Sequence, residues 1–336
     1  LFSMIPSLKG KAFTKYPDTH IDSIAMHLKR AGYETRFFAA FQDKKFDNTA
    51  HFLLKRGFDH YDIVKPYLTK EEAAARFSWG VEDRVYFKRF FDYFESQQHA
   101  QKKQPQFYAL STIVNHFPFN SVPESRRFIH SSADSFIQDY ENSVHLTDNG
   151  IRVFFEELNR RGLLEKSIVV ITGDHAFPMG KHGNFHLESG YHEDSFLIPF
   201  YLVWKGTLKP GQLDVVASQL DIGPTLLDLI GYYPRNHSLQ GHSLFDPQQK
   251  VAAIPLIQPY GKHISAIRYP IKYRFYTKSA RYYAYDLEKD PMERTSIYGQ
   301  LPKENRLWFD RYLQRIFLTQ KAIERNQVLP VKDLSY

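Results

Sequence analysis

The chain has 336 residues, 43% of them hydrophobic and 16% aromatic, enough to bury one large α/β core or two ordinary ones and too apolar for a disordered chain. Lys and Arg outnumber Asp and Glu by 44 to 37, a formal +7 that suits an anionic partner. The basic residues are scattered and not interleaved with aromatics, which argues against nucleic acid, and the absence of cysteine excludes disulfides, thiolate metal sites and a cysteine nucleophile within these residues.

In chain order, residues 20–31 carry Ile21, Ile24, Ala25 and Leu28 at helical spacing, and Gly32 stops that helix before a strand over 33–39. Short elements are expected at 52–55 and 61–64. Residues 82–97 read as an amphipathic helix with Val85, Phe87, Phe90, Phe91 and Phe94 on one side, and 107–114 as a continuous apolar strand. A long helical stretch over 133–161 leads through Gly162 to a strand at 168–172. A further strand spans 200–204, and a helix 222–230 has Pro224 near its first turn.

Beyond about residue 250 the segments 254–257, 265–269, 271–276 and 281–285 are short, aromatic and separated by turn residues, the texture of an antiparallel sheet. A helix near 304–324 follows. The expected fold is therefore α/β: a mostly parallel central sheet sandwiched by helices over 1–250, then a small antiparallel sheet and terminal helix over 251–336. The longest apolar run, 196–204, already contains Pro199 and falls well short of the roughly 18 residues of a spanning helix. The opening residues, Leu1-Phe2-Ser3-Met4-Ile5-Pro6, lack the charged start, apolar stretch and cleavage site of a signal peptide and read as a chain opened within a domain.

Chemistry concentrates after the strand at 168–172, where Gly173-Asp174-His175 is followed by Lys181-His182-Gly183. A rigid strand end, a glycine that lets the backbone turn, and a carboxylate beside an imidazole make half of a metal site. Adjacent side chains on a regular strand point to opposite faces, so both reach one ion only where the strand has just ended. The same residues also allow a plain loop in which Asp174 caps the next segment and His175 packs against it.

Several segments, in order and across most of the chain, resemble the alkaline-phosphatase superfamily and, within it, the sulfatase-like phosphoglycerol transferases that include lipoteichoic acid synthases. They are Ser167-Ile-Val-Val-Ile-Thr-Gly-Asp-His175, Gly180-Lys-His-Gly183, Glu193 with Ile198-Pro199, Ser218-Gln-Leu-Asp-Ile-Gly-Pro-Thr-Leu-Leu-Asp-Leu-Ile-Gly231 followed by Gln240-Gly-His-Ser-Leu244, and Tyr285-Asp-Leu-Glu-Lys-Asp-Pro291 with Glu293. Asn115-His116-Phe117-Pro118-Phe119 and Trp79-Gly80-Val81-Glu82-Asp83 resemble landmarks of the transferase branch, although Trp79 itself is expected to pack in the core.

The resemblance implies a metal-dependent transferase of phosphoglycerol or phosphoethanolamine type that acts on membrane lipid headgroups through a covalent intermediate on a hydroxyl nucleophile. Asp174 and His175 would be metal ligands, and His116 and, less directly, His182 catalytic. His186 and His192 share the same loop. Mixed oxygen and imidazole ligands suit Mn2+ or Zn2+, whereas Mg2+ and Ca2+ sit less well beside histidine. Asn115 and His116 would contact substrate. The usual phosphoglycerol clamp is replaced by Phe38-Ala-Ala-Phe-Gln-Asp-Lys-Lys-Phe-Asp-Asn48, in which Gln42, Asn48 or the two lysines would meet an anion. The nucleophile and a further acidic ligand are expected upstream of Leu1, together with a membrane anchor, and the location is extracytoplasmic. Two other readings share these motifs: a sulfatase or phosphodiesterase acting on a soluble ester, and a silent domain of the same fold that binds an anionic lipid or glycan.

Overall fold

Alternating runs of β-branched and aromatic residues with helix-forming segments between them produce nine strands among the described residues of the computed structural model. It describes residues 1–41, 43–75, 77, 79–98, 104–130, 136–186, 191–235, 237–246, 254–257 and 262–328. The chain forms two compact units. One comprises Leu1–His27, Ile171–Phe200 and Gly211–Tyr336, the other Leu28–Val170 and Tyr201–Pro210.

In the second of these, β1 (Glu34–Ala39) lies between β2 (His60–Ile63) and β3 (Gln106–Ser111), and both pairings are parallel. The short element expected at 52–55 is the end of a helix, Thr49–Leu54. Strand β1 is buried from Thr35 to Ala39 because aromatic rings cover both of its faces. Phe37 stacks on Tyr61 at 5.3 Å, while Phe38, alternate in the pleat, meets Tyr86, Phe90 and Tyr93. Those three rings come from the helix Asp83–Gln98, whose Phe87, Phe90 and Phe91 also contact Phe154 of the long helix Phe136–Arg160. Residues 133–135, expected to begin that helix, lie outside the described residues.

Strands β4 (Val169–Thr172) and β5 (Phe200–Val203) form a two-stranded pair. The other unit is built on an antiparallel sheet of β6 (Ile254–Ile257), β7 (His263–Arg268), β8 (Ile271–Tyr276) and β9 (Arg281–Asp286) in sequential order. One face of it, with Ile264, Ala266, Tyr273 and Ala284, packs on Phe309, Leu313 and Ile316 of the terminal helix Lys303–Glu324. The parallel strands with their helices, the antiparallel sheet and the closing helix are the α/β architecture expected above. Among the described residues no helix is long and apolar enough to cross a membrane.

The segments 218–231 and 240–244 close on each other in the same unit. Ser218 caps the turn Gln219–Asp221, which leads into the helix Ile222–Leu229. Asp221 accepts the His242 amide at 2.9 Å, and the Thr225 hydroxyl accepts the Leu244 amide at 2.9 Å. Gly241 immediately precedes His242, and a Cβ there would run into the Leu220 carbonyl. Gly241→Ala is therefore expected to cost about 1–3 kcal/mol, measured as a lowered urea midpoint; an unchanged midpoint would show that the Leu220 backbone yields freely.

Candidate active site

The Gly173-Asp174-His175 turn begins where β4 ends, so its side chains are freed from strand alternation. Asp174 Oδ1 accepts the His175 amide at 2.9 Å. His175 Nδ1 lies 3.0 Å from the Ala176 carbonyl. A carbonyl only accepts, so Nδ1 carries the proton and Nε2 keeps its lone pair, the arrangement in which histidines ligate metals. That Nε2 is 3.7 Å from Asp174 Oδ2, a separation that one ion with bonds of about 2.0–2.2 Å spans. The Asp174 side chain is 91% exposed and that of His175 54%, so both donors are open to a ligand. This donor pair fits a divalent cation.

The turn has no regular structure to hold it, and Gln219 supplies the missing support. Its amide nitrogen donates to the carbonyls of Gly173 at 2.8 Å and Asp174 at 2.7 Å. The conspicuous motif at 218–231 thus braces the Gly173–His175 turn through Gln219. The sequence drew attention to that run but not to Gln219, because the contact crosses more than forty residues of chain.

His182 and its neighbours are in the same unit. Its Nδ1 lies 3.1 Å from Asp194 Oδ2, its side chain is only 5% exposed, and its Nε2 is buried without a hydrogen-bond partner. The ring stacks face to face on His192, with centroids 4.1 Å apart and planes 6° from parallel. Burial, and then the charges of His182 and Lys272, push His192 down to about 4. Lys272 on β8 is fully buried; its ammonium donates to the Tyr191 carbonyl at 2.6 Å and Glu293 at 2.7 Å and lies 3.0 Å from Glu193. Burial raises Glu293 although Lys272 opposes the shift. His182 is enclosed, while His186 further along the loop is exposed.

The other unit holds His116, Asn115 and Asn48. His116 follows β3 and repeats the His175 arrangement: Nδ1 faces the Phe117 carbonyl at 2.6 Å, leaving Nε2 as an acceptor. Trp79 corrects an expectation. It is 52% exposed, and its ring lies 3.9 Å from that of His116. The reason is Gly80, whose backbone presses so closely on the Ala40 carbonyl that no Cβ would fit, which turns Trp79 outward. Phe46 flanks Trp79 at 5.7 Å. Asn48 follows Asp47, and both take left-handed backbone angles, φ 59° and 56°, that Asn and Asp tolerate better than most residues. Gln42 lies outside the described residues.

Behind Asn115, the Thr147 hydroxyl is 3.2 Å from Asn115 Oδ1 and 2.8 Å from the buried carboxylate of Asp83. Burial pushes Asp83 up to about 6 against the pull of its hydrogen bonds. The folded state thus holds the proton more tightly than the unfolded chain, so stability is greatest below about pH 4 and is lost as pH rises through about 6. Asp83→Asn removes the titration. Its stability relative to the wild type should improve by about 3 kcal/mol between pH 4 and 7.5 in urea denaturation, at about 1.4 kcal/mol per pKa unit; a pH-independent difference would show that Asp83 titrates normally.

Comparison with known proteins agrees with this architecture. The family model described as Sulfatase matches residues 1–232. Lipoteichoic acid synthase 2 of Bacillus subtilis is 24% identical over 258 residues, covering 74% of this chain and 38% of that protein. A lipoteichoic acid synthase of Staphylococcus saprophyticus is 30% identical over 177 residues, covering 49% and 26%. The chain thus spans well under half the length of these relatives. Among solved structures, the lipoteichoic acid synthase LtaP of Listeria monocytogenes superimposes with a TM-score of 0.76 at 21% identity, over 97% of this chain and 76% of that one. The phosphonate monoester hydrolase of Agrobacterium radiobacter gives 0.62 at 18% identity, over 94% and 82%. These two likenesses establish the fold.

Proposed function

The chain belongs to the sulfatase family, and from that premise we propose that it is the catalytic portion of a metal-dependent transferase that moves a phosphoglycerol- or phosphoethanolamine-type group from a membrane lipid headgroup. The observation that carries this reading is the Asp174–His175 pair, two open donors 3.7 Å apart on a turn braced by Gln219. The names of the relatives in Bacillus and Staphylococcus support a transferase over a hydrolase. The formal +7 suits work on anionic headgroups at the outer face of a membrane.

When bound at Asp174 and His175, an ion of the manganese or zinc class supplies Lewis acidity to a phosphoryl oxygen and lowers the pKa of a hydroxyl nucleophile. The remaining work falls to the chain's own groups. His116, with Nδ1 fixed on the Phe117 carbonyl and its ring against Trp79, offers Nε2 to the transferring group, first as acceptor and, once protonated, as donor to the leaving alkoxide. Asn115, held by Thr147, and Asn48 orient the headgroup. The covalent intermediate is resolved by an acceptor hydroxyl. The nucleophile is assigned to none of residues 1–336.

Two substitutions test this reading. Asp174→Ala should lower bound manganese by one equivalent in elemental analysis after dialysis; unchanged metal content would remove the pair from the site. His116→Ala should slow turnover of a phosphoglycerol ester by about 10²- to 10⁴-fold while the ion stays in place. Loss of the ion with that change would make His116 a ligand instead.

A further inference from the structure

We infer that His182, His192 and Asp194 form a second cation site, of the zinc class, whose donors are separate from Asp174 and His175. The ligand atoms of the three side chains all lie within 4.8 Å of one another, and no other group of three histidine or carboxylate donors converges in this way among the described residues. Two imidazoles and one carboxylate, with no thiolate, match the donor set of zinc and its first-row neighbours and leave a position for water or a fourth ligand.

The local hydrogen bonding points the same way. His182 Nδ1 and Asp194 Oδ2 already stand 3.1 Å apart, the separation of two ligands that share one ion at about 2.0–2.2 Å each, and loading displaces the proton between them.

The surrounding charge permits it. The nearest ammonium, Lys272, is held by Glu293 and Glu193, and the Arg274 guanidinium lies over the rings of Tyr191 and Tyr283 at 4.0 and 4.2 Å. The three carboxylates Asp194, Glu193 and Glu293 stand against these two cations, an excess of one negative charge before any ion binds.

Loading has a structural consequence. The stacked rings of His182 and His192 place their nitrogens in parallel planes, so convergence on one ion requires the His192 ring to turn about its Cβ–Cγ bond and leave the stack. The Tyr191–Asp194 segment is already fastened to the sheet through the Tyr191 carbonyl on Lys272 and the Glu193 amide on Glu293. An ion at this point would therefore staple the loop that carries His182 to the body of its unit.

The test uses zinc alone with the full chain. After dialysis, the variant Asp174→Ala/His175→Ala should retain one zinc equivalent by elemental analysis, and adding His192→Gln and Asp194→Asn should remove it. A first variant without zinc, or a second that keeps it, overturns the proposal, and neither result depends on whether the chain transfers phosphoglycerol. In the unsubstituted chain, whose folding is not in question, zinc should shift the ring ¹⁵N resonances of His182 and His192. Unmoved resonances also overturn it.

Discussion

A pair of hydrogen bonds from one side chain, the Gln219 amide to the carbonyls of Gly173 and Asp174, is the constraint on which the candidate metal centre depends. A turn at a strand end has backbone acceptors with no ladder to satisfy them, and without a partner it would sample many shapes. Gln219 in turn owes its place to the capped turn Gln219–Asp221, which Asp221 ties to His242. The candidate donors are thus held by a short relay of polar contacts that runs back to the start of the helix Ile222–Leu229.

The three histidines singled out by sequence share one device and differ in surroundings. Each has Nδ1 engaged, by the Ala176 carbonyl for His175, the Phe117 carbonyl for His116 and the Asp194 carboxylate for His182. The contacts therefore select the same tautomer, with the proton on Nδ1, in all three. What separates them is access. His175 is about half-exposed, His116 is backed by the Trp79 ring, and His182 is sealed beneath His192.

Strand β8 shows how the antiparallel sheet serves the same unit. Tyr273 and Phe275 point to the terminal helix, and the alternate residues Lys272 and Arg274 point to the loop of His192. Burying an ammonium is costly unless it is paired and hydrogen-bonded. Lys272 meets both conditions through Glu293, Glu193 and the Tyr191 carbonyl. The apolar face of the strand builds a core, and the polar face anchors a loop that would otherwise have little to hold it.

Much of the fold was legible because it rests on local periodicity. The apolar run that becomes β3, the one-sided phenylalanines of the helix Asp83–Gln98 and the aromatic segments of β6–β9 each declare their element without reference to the rest of the chain. The Gly-Asp-His turn was also legible, since a glycine and two donors just past a strand are a local pattern. Trp79 was misjudged because its exposure follows from Gly80 pressing on Ala40, a contact between distant segments. By itself the sequence determined which residues could ligate, donate or pack, and the order of the elements that carry them. Only the tertiary structure decided that Gln219 braces the turn, that Trp79 lies on His116, and that His182, His192 and Asp194 converge, because each is a meeting of side chains whose geometry is set by packing and not by spacing along the chain.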